Sequence, residues 1–232
     1  MLETTEKSNY YNKIESIFDN LAVEKNGYYD ANENTKKQTH TIWQRIIRKK
    51  IISILKKLTK NYEVEKILDV GCGMGDFTNE LQSKFNFKAV HGIDFSDSML
   101  KIASKKHQEN EAISFSQEDV TKKMSFNNNS FDLALCLNML HHVLLEDQGK
   151  AIDEFCRISK KYVIVEIKRI HPIWKYIFND KVLGYLTFYP NKIPTITEYF
   201  RKNGFELQIK RPIFIWMLPS PIVILVFKKQ SN

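Results

Sequence analysis

The sequence has little of what would commit it to a secreted, metal-stapled or membrane-spanning class. Its 232 residues contain three cysteines, Cys72, Cys136 and Cys156, an odd number without a C-x-x-C pair. That usage argues against a disulfide framework and a structural zinc site, and it suits a reducing compartment. No metal is expected. Uninterrupted apolar runs near the ~20 residues that span a bilayer are missing. The nearest, Pro212–Phe227, is broken by Pro219-Ser220-Pro221. Met1–Asn34 is polar and mildly acidic, so no secretory leader is expected there and the chain reads as cytoplasmic. Internal repeats and long linkers are lacking too; Asn127-Asn128-Asn129 comes nearest to low complexity and reads as a turn. Arginine is scarce, since only Arg45, Arg48, Arg157, Arg169, Arg201 and Arg211 stand among 35 basic residues. The net charge of +8 is therefore carried by lysine. General codon bias explains that better than a phosphate-binding surface, which prefers arginine forks.

What is present suffices for one α/β domain. With 43% hydrophobic and 12% aromatic residues, a chain of this length buries a core without staples. From about Glu65 onward, short β-branched runs alternate with helical patterns, the signature of βαβ units and a parallel sheet. Strands are predicted at Lys66–Val70, Ala89–Ile93, Ile113–Ser116, Phe131–Leu137 and Tyr162–Ile167. Helices are predicted near Asp76–Lys84, Ser96–Lys106 and Lys150–Ser159. A further helix is expected from Thr195, where Thr195-Ile196-Thr197-Glu198 has capping-box spacing, to a stop at Asn203-Gly204. Phe205–Met217 and Ile222–Lys228 then read as a hairpin joined to the sheet. Ahead of the sheet, Thr41–Leu58 carries Trp43, Ile47, Ile51, Ile54, Leu55 and Leu58 on one helical face and Arg45, Arg48, Lys49, Lys56 and Lys57 opposite. Residues 1–60 are thus expected to form a helical cap on a domain spanning 61–232, with 168–194 as an insertion over the substrate.

The most informative stretch is Leu68-Asp69-Val70-Gly71-Cys72-Gly73-Met74-Gly75. Three of the chain's eight glycines fall in five residues, after an apolar strand and before a helix. A ligand across the end of that strand approaches the backbone more closely than a Cβ permits, and the new helix offers unpaired N–H groups. An incidental turn needs only one glycine. The spacing is G-x-G-x-G and not the G-x-G-x-x-G suited to a pyrophosphate, and Asp69 just before it repels a pyrophosphate and favours a cationic ligand. The second strand ends at Ile93-Asp94-Phe95. Asp94 lies nineteen residues past Gly75, the position of an acid that accepts from ribose hydroxyls, and Phe95 is placed to lie against adenine. The plainer alternative is that Asp94 only precedes a helix capped by Ser96 or Asp97. Gln117-Glu118-Asp119-Val120 places an acid after the third strand, ambiguous with a helix cap.

Together these features resemble the class I S-adenosylmethionine-dependent methyltransferases over about Glu65–Ile167. The first motif falls on Leu68–Gly75, the ribose acid on Asp94 and the adenine-side acid on Asp119. Asn129-Ser130-Phe131-Asp132 and Asn138-Met139-Leu140-His141-His142-Val143 look like the small-molecule branch, which includes quinone and natural-product methylases. The resemblance implies a doubly wound, Rossmann-like seven-stranded sheet, mostly parallel with an antiparallel last strand. It also implies S-adenosylmethionine as cofactor, with Asn138 beside its methionine end. The cofactor-binding set expected on this basis is Asp69, Gly71, Cys72, Gly73, Gly75, Asp94, Phe95, Met99, Glu118, Asp119, Val120 and Asn138.

Methyl transfer is an in-line displacement at an already activated carbon, so the protein contributes mainly positioning and exclusion of water. His141 and His142 are candidate general bases, against the alternative that they pack on the cofactor and satisfy backbone groups. Glu166, at the end of the fifth strand, is a candidate for a polar acceptor group. Lys168–Pro194 is long for a strand-to-helix connection and rich in aromatics. Trp174, Tyr185 and Tyr189, with Tyr28 and Tyr29 and the more distant His171, are candidate lid residues over an apolar or aromatic acceptor, against a simple extra helix packed in the core.

Rival functions come from the basic run. Between Thr35 and Lys60 there are nine basic residues and no acidic one. One reading docks RNA there, although no RNA-binding module is appended and aromatics are not interleaved with the lysines; the plain reading is a solvated helix face. The same face suits peripheral contact with an anionic membrane that delivers a lipid or quinone. A non-catalytic partner subunit fits poorly with an intact glycine loop and ribose acid, and a nicotinamide dehydrogenase fits poorly with the loop spacing.

Overall fold

The structure is a computed structural model that describes residues 4–25, 35–169, 189, 191–213 and 220–230. Seven strands form one sheet in the order β3-β2-β1-β4-β5-β7-β6. The chain divides into two compact units, Met1–Gln117 and Glu118–Asn232. Among the described residues no helix is long and apolar enough to cross a membrane.

The first unit contains α1 (Thr4–Lys25), α2 (Thr35–Asn61), β1 (Lys66–Val70), α3 (Asp76–Phe85), β2 (Ala89–Asp94), α4 (Asp97–His107) and β3 (Ile113–Gln117). β1 pairs parallel to β2, and β2 parallel to β3. Parallel strands buried on both faces read as continuous apolar runs, and Ile67, Leu68 and Val70 are fully buried. The predicted amphipathic helix is α2, longer than expected at its start. Ile47, Ile51, Ile54, Leu55 and Leu58 are buried, while Arg45, Lys49, Lys56 and Lys57 face solvent. Arg48 lies 5.2 Å from the Phe77 ring centroid, a cation–π arrangement that covers apolar surface with a charged stem. From α1, Ala22 joins Met74 and Met99 in a small apolar cluster flanked by Phe18 and Ile102.

The second unit contains β4 (Phe131–Cys136), a 3-10 turn (Leu140–His142), α5 (Gln148–Ile158), β5 (Ser159–Lys168), α6 (Ile193–Lys202), β6 (Phe205–Pro212) and β7 (Ile222–Lys229). β4 and β5 are parallel, whereas β7 is antiparallel to both β5 and β6. The terminal hairpin is thus present as expected, its first strand running Phe205–Pro212; residues 214–217 of the expected strand lie outside the described residues. One boundary differs: α6 begins at Ile193 behind Lys192, with proline in its first turn and no side-chain cap. Pro194 decides this, because its fixed φ and missing N–H suit the first helical turn. Thr195 therefore lies inside the helix and forms no capping box. The helix stops at Asn203, followed by Gly204 at φ +74°.

Candidate active site

In the first unit the site starts at the end of β1. Gly71, Gly73 and Gly75 all have positive φ, a region that costs other residues about 1–2 kcal/mol. The N–H groups of Gly71 and Cys72 donate to Ile93 O at 2.8 and 3.0 Å, which holds the loop against the end of β2. A Cβ on Gly75 would lie 2.6 Å from the Phe115 ring, so this glycine serves close packing. A Cβ on Gly73 would meet nothing within 4 Å. Gly73 therefore fronts open space, as a ligand cradle requires.

Asp94 ends β2, and its carboxylate accepts from Gly73 N at 2.8 Å and from Ser96 N at 3.0 Å. Ser96 is separately the N-cap of α4, its hydroxyl accepting from Met99 N and donating to Asp19 of α1. The side-chain cap thus belongs to Ser96, while Asp94 ties the N–H of that cap residue to the glycine loop. Burial raises the Asp94 carboxyl, with the N–H groups of Ser96 and Gly73 acting in the opposite direction. Phe95 is half-buried, its carbonyl accepting from Gln117 Nε2, and Met99 packs in the cluster with Ala22 and Met74. Asp69 is buried and accepts from Thr78 Oγ1 at 2.7 Å. Its burial pushes its carboxyl up to about 6, opposed by that hydrogen bond and by Arg48. The Cys72 thiol is pushed up by burial and by the neighbouring Asp94 and Asp69 carboxylates, so it remains a thiol. Open space at Gly73, a carboxylate tied to the loop and a buried acid before it fit an adenosine ligand with a cationic side chain.

In the second unit the polar groups gather where β4 and β5 end. Asn138 has φ +54°, a backbone conformation that non-glycine residues rarely adopt and that recurs at functional sites. Lys168 Nζ donates to Asn138 Oδ1 and lies 3.0 Å from His141 Nε2. Beside the ammonium, His141 Nε2 acts as acceptor, which places the ring proton on Nδ1. His141 and His142 sit with ring centroids 4.0 Å apart. Burial, with the Lys168 charge adding to it, lowers His141 well below the usual range and His142 to about 3. Both imidazoles are therefore neutral at neutral pH. Glu166 is buried; burial raises its carboxyl, while Lys168 and the Asn138 N–H oppose this. Burial lowers the Lys168 ammonium, and Glu166 opposes that. Gln148, buried at the start of α5, donates to Leu140 O and Val143 O and fixes the turn that carries both histidines. Tyr189 N donates to His141 O at 3.0 Å.

The remaining candidates divide. Asp119 holds a local turn, accepting from Thr121 N and Oγ1 and pairing with Lys122 at 3.0 Å. Glu118 binds Ser125, and Val120 is half-buried. Tyr28, Tyr29, His171, Trp174 and Tyr185 lie outside the described residues. Sequence reasoning missed Lys168 and Thr78. For Lys168 a signal existed: it stands two residues after Glu166, one residue past the strand predicted to end at Ile167, and the continuation of β5 to Lys168 puts both on the same face.

A Rossmann-like sheet with a glycine loop after β1 and an acid at the end of β2 is the arrangement expected of a nucleoside-type cofactor site. Residues 67–162 match the methyltransferase domain family. The chain is 25% identical over 224 residues to a demethylmenaquinone methyltransferase of Leptospira interrogans, covering 83% of this chain and 84% of that protein. It is 24% identical to a phosphoethanolamine N-methyltransferase of Plasmodium falciparum, covering 78% and 68%. Its fold resembles the magnesium protoporphyrin IX methyltransferase of Synechocystis with bound S-adenosylhomocysteine, at TM-score 0.74 and 18% identity over 98% and 100% of the two chains. By its domain match, its relatives and its fold, the chain is similar to S-adenosylmethionine-dependent methyltransferases.

Proposed function

We propose that this enzyme methylates a small hydrophobic or aromatic acceptor, of the quinone, isoprenoid, lipid or natural-product kind. The observation that carries the cofactor part is the open face at Gly73 beside the Asp94 carboxylate. Similarity to a demethylmenaquinone methyltransferase along most of both chains supports the acceptor class.

When bound, the cofactor supplies a methyl group made electrophilic by its sulfonium. The chain's own residues then bind and orient. Asp94 accepts from the ribose hydroxyls, Gly71 and Gly73 admit the nucleoside, and Phe95 lies against adenine. Asp69 favours the cationic side of the ligand. The family resemblance further assigns Asp119 to the adenine amino group and Asn138 to the methionine end. His141 and His142, neutral and with lowered proton affinity, pack as polar walls more readily than they act as bases, since a useful base has a pKa near the working pH. Tyr28, Tyr29, His171, Trp174, Tyr185 and Tyr189 are assigned to the acceptor lid.

The test is incubation of the purified protein with methyl-labelled S-adenosylmethionine and an extract of host cells lacking the gene, followed by fractionation. Label in the organic-soluble fraction is expected. Label confined to RNA would overturn the small-molecule reading and assign the basic face of α2 to nucleic acid.

A further inference from the structure

The solvent side of α2 carries a run of cations that no neighbouring carboxylate balances. Arg45, Lys49, Lys56, Lys57 and Lys60 are exposed, and Lys50 is half-buried. At about 100° per residue they all fall within an arc of about 140°, along about 22 Å of helix. The buried stripe of Ile47, Ile51, Ile54, Leu55 and Leu58 lies opposite. Among the described residues none of these cations forms an ion pair, and residues 35–60 include no acid. Only Arg48, on the flank of the helix, has a partner, Glu80 at 3.9 Å. Lysines on the neighbouring elements are different. Lys84 pairs with Glu80 at 3.8 Å, Lys88 with Glu65 at 3.9 Å, Lys101 with Asp97 at 2.5 Å, and Lys106 with Asp76. We propose that this cationic face of α2 docks the protein on an anionic lipid bilayer by surface adsorption, without insertion of the helix. The inference goes beyond methyl transfer and stands without it.

The mode of attachment follows from the two faces of the helix. A helix that lies within the membrane interface keeps an apolar face for the acyl chains. In α2 that face is core, with Ile51 and Leu55 fully buried. Charge is what the helix presents outward. Anionic headgroups create a diffuse negative potential that attracts each nearby lysine or arginine and decays within a Debye length. A line of unpaired cations suits that field, because no local carboxylate offsets it.

Side-chain type favours lipid over RNA. Apart from Arg45 the cations are lysines, point charges that need no defined partner geometry, whereas phosphate recognition in nucleic acid favours arginine forks. Residues 44–61 contain no aromatic ring on which a base could stack. An apolar acceptor of the kind proposed above also collects in a bilayer, so adsorption there brings the protein to its supply.

The experiment sediments the full chain with vesicles of phosphatidylcholine alone, or of phosphatidylcholine and phosphatidylglycerol at three to one. Binding is expected only to the anionic vesicles. It should be lost between about 0.1 and 1 M salt, as the Debye length falls from about 10 to about 3 Å. Lys49→Gln/Lys56→Gln/Lys60→Gln should lower vesicle affinity on the order of a hundredfold, at about fivefold per lysine. Lys49→Arg/Lys56→Arg/Lys60→Arg should bind as wild type does. So should Lys84→Gln/Lys88→Gln/Lys101→Gln, which removes the same net charge from paired lysines. Each single variant, Lys49→Gln, Lys56→Gln or Lys60→Gln, should show the fivefold step by itself, which keeps the test decisive if the triple variant does not fold. Equal losses in the two glutamine triples overturn the proposal, because net charge would then suffice. Binding to phosphatidylcholine alone, or binding that survives 1 M salt, also overturns it, since either means insertion. Tighter binding of a single-stranded RNA than of anionic vesicles, lost in the α2 triple, overturns it in favour of nucleic acid. None of these outcomes depends on methyl transfer, which the labelling experiment reads separately.

Discussion

Asp94 joins the glycine loop to α4 by accepting from Gly73 N and Ser96 N, so one carboxylate shapes the cradle proposed for the cofactor. Asp94→Ala is expected to weaken S-adenosylhomocysteine binding by about 1–3 kcal/mol, the scale of a lost charged hydrogen-bond partner; calorimetry measures it, and unchanged affinity removes Asp94 from the site. Gly73→Ala tests the cradle differently. Its Cβ would meet no protein atom, so stability should fall only by the ~1–2 kcal/mol of a left-handed alanine, while cofactor affinity falls further. Asp69 supplies a pH signature. Its folded carboxyl is raised to about 6 from an ordinary 3.8, so its contribution to stability is full below pH ~4 and is lost as pH rises through about 6. His142, lowered to about 3, acts with the opposite sign, because its protonation on acidification below its ordinary 6.5 favours the unfolded chain. Asp69→Asn should therefore make the variant gain stability relative to wild type between pH 4 and 6, by up to about 2–3 kcal/mol. Urea unfolding across that window checks it, and parallel curves for the two proteins would contradict it. At this scale the glycines, Asp69 and Asp94 were legible because spacing along the chain defines them. Thr78 was not, because only folding brings it to Asp69, nine residues away; for Lys168 the spacing from Glu166 was visible, but its contact with Asn138, thirty residues away, was not.

Elements were legible wherever burial follows a period. In α2 the apolar stripe identified from sequence is the buried face from Ile47 to Leu58, and substitutions should separate along it. Leu55→Ala is expected to cost about 2–5 kcal/mol, whereas Lys56→Ala, on the exposed face, should stay within about 0.5 kcal/mol of wild type. Thermal or urea unfolding distinguishes them. Ser96→Ala should cost ~1 kcal/mol through loss of the α4 cap. The start of α6 was misread because capping-box spacing is only a local preference. Proline in the first turn and the burial of Ile196 and Phe200 override it. β5 and β7 were recognisable as strands from their continuous Ile and Val content. Their antiparallel pairing, Glu166 opposite Ile224 and Lys168 opposite Ile222, is what fixes which face both charged residues share.

For the molecule as a whole, binding of S-adenosylhomocysteine to the folded state alone should raise apparent stability by mass action, by ~2.7 kcal/mol at a hundredfold excess over the dissociation constant. A thermal-shift series over ligand concentration measures this, and NADH should give no comparable shift. Composition, charge and element order together determined the class. A parallel α/β sheet follows from alternating apolar runs and helices, because a strand buried on both faces must be apolar throughout. The cofactor loop follows from glycine spacing, because only glycine accepts those backbone angles cheaply. Both are consequences of short-range chemistry, which one chain displays in order. Tertiary structure alone decided the protonation and orientation of the polar groups. The neutral histidines, the raised Asp69 and the Lys168 ammonium aimed at Asn138 depend on desolvation and on partners distant in sequence. Electrostatic energy in a buried place is set by what surrounds it, and that is known only once the chain has folded.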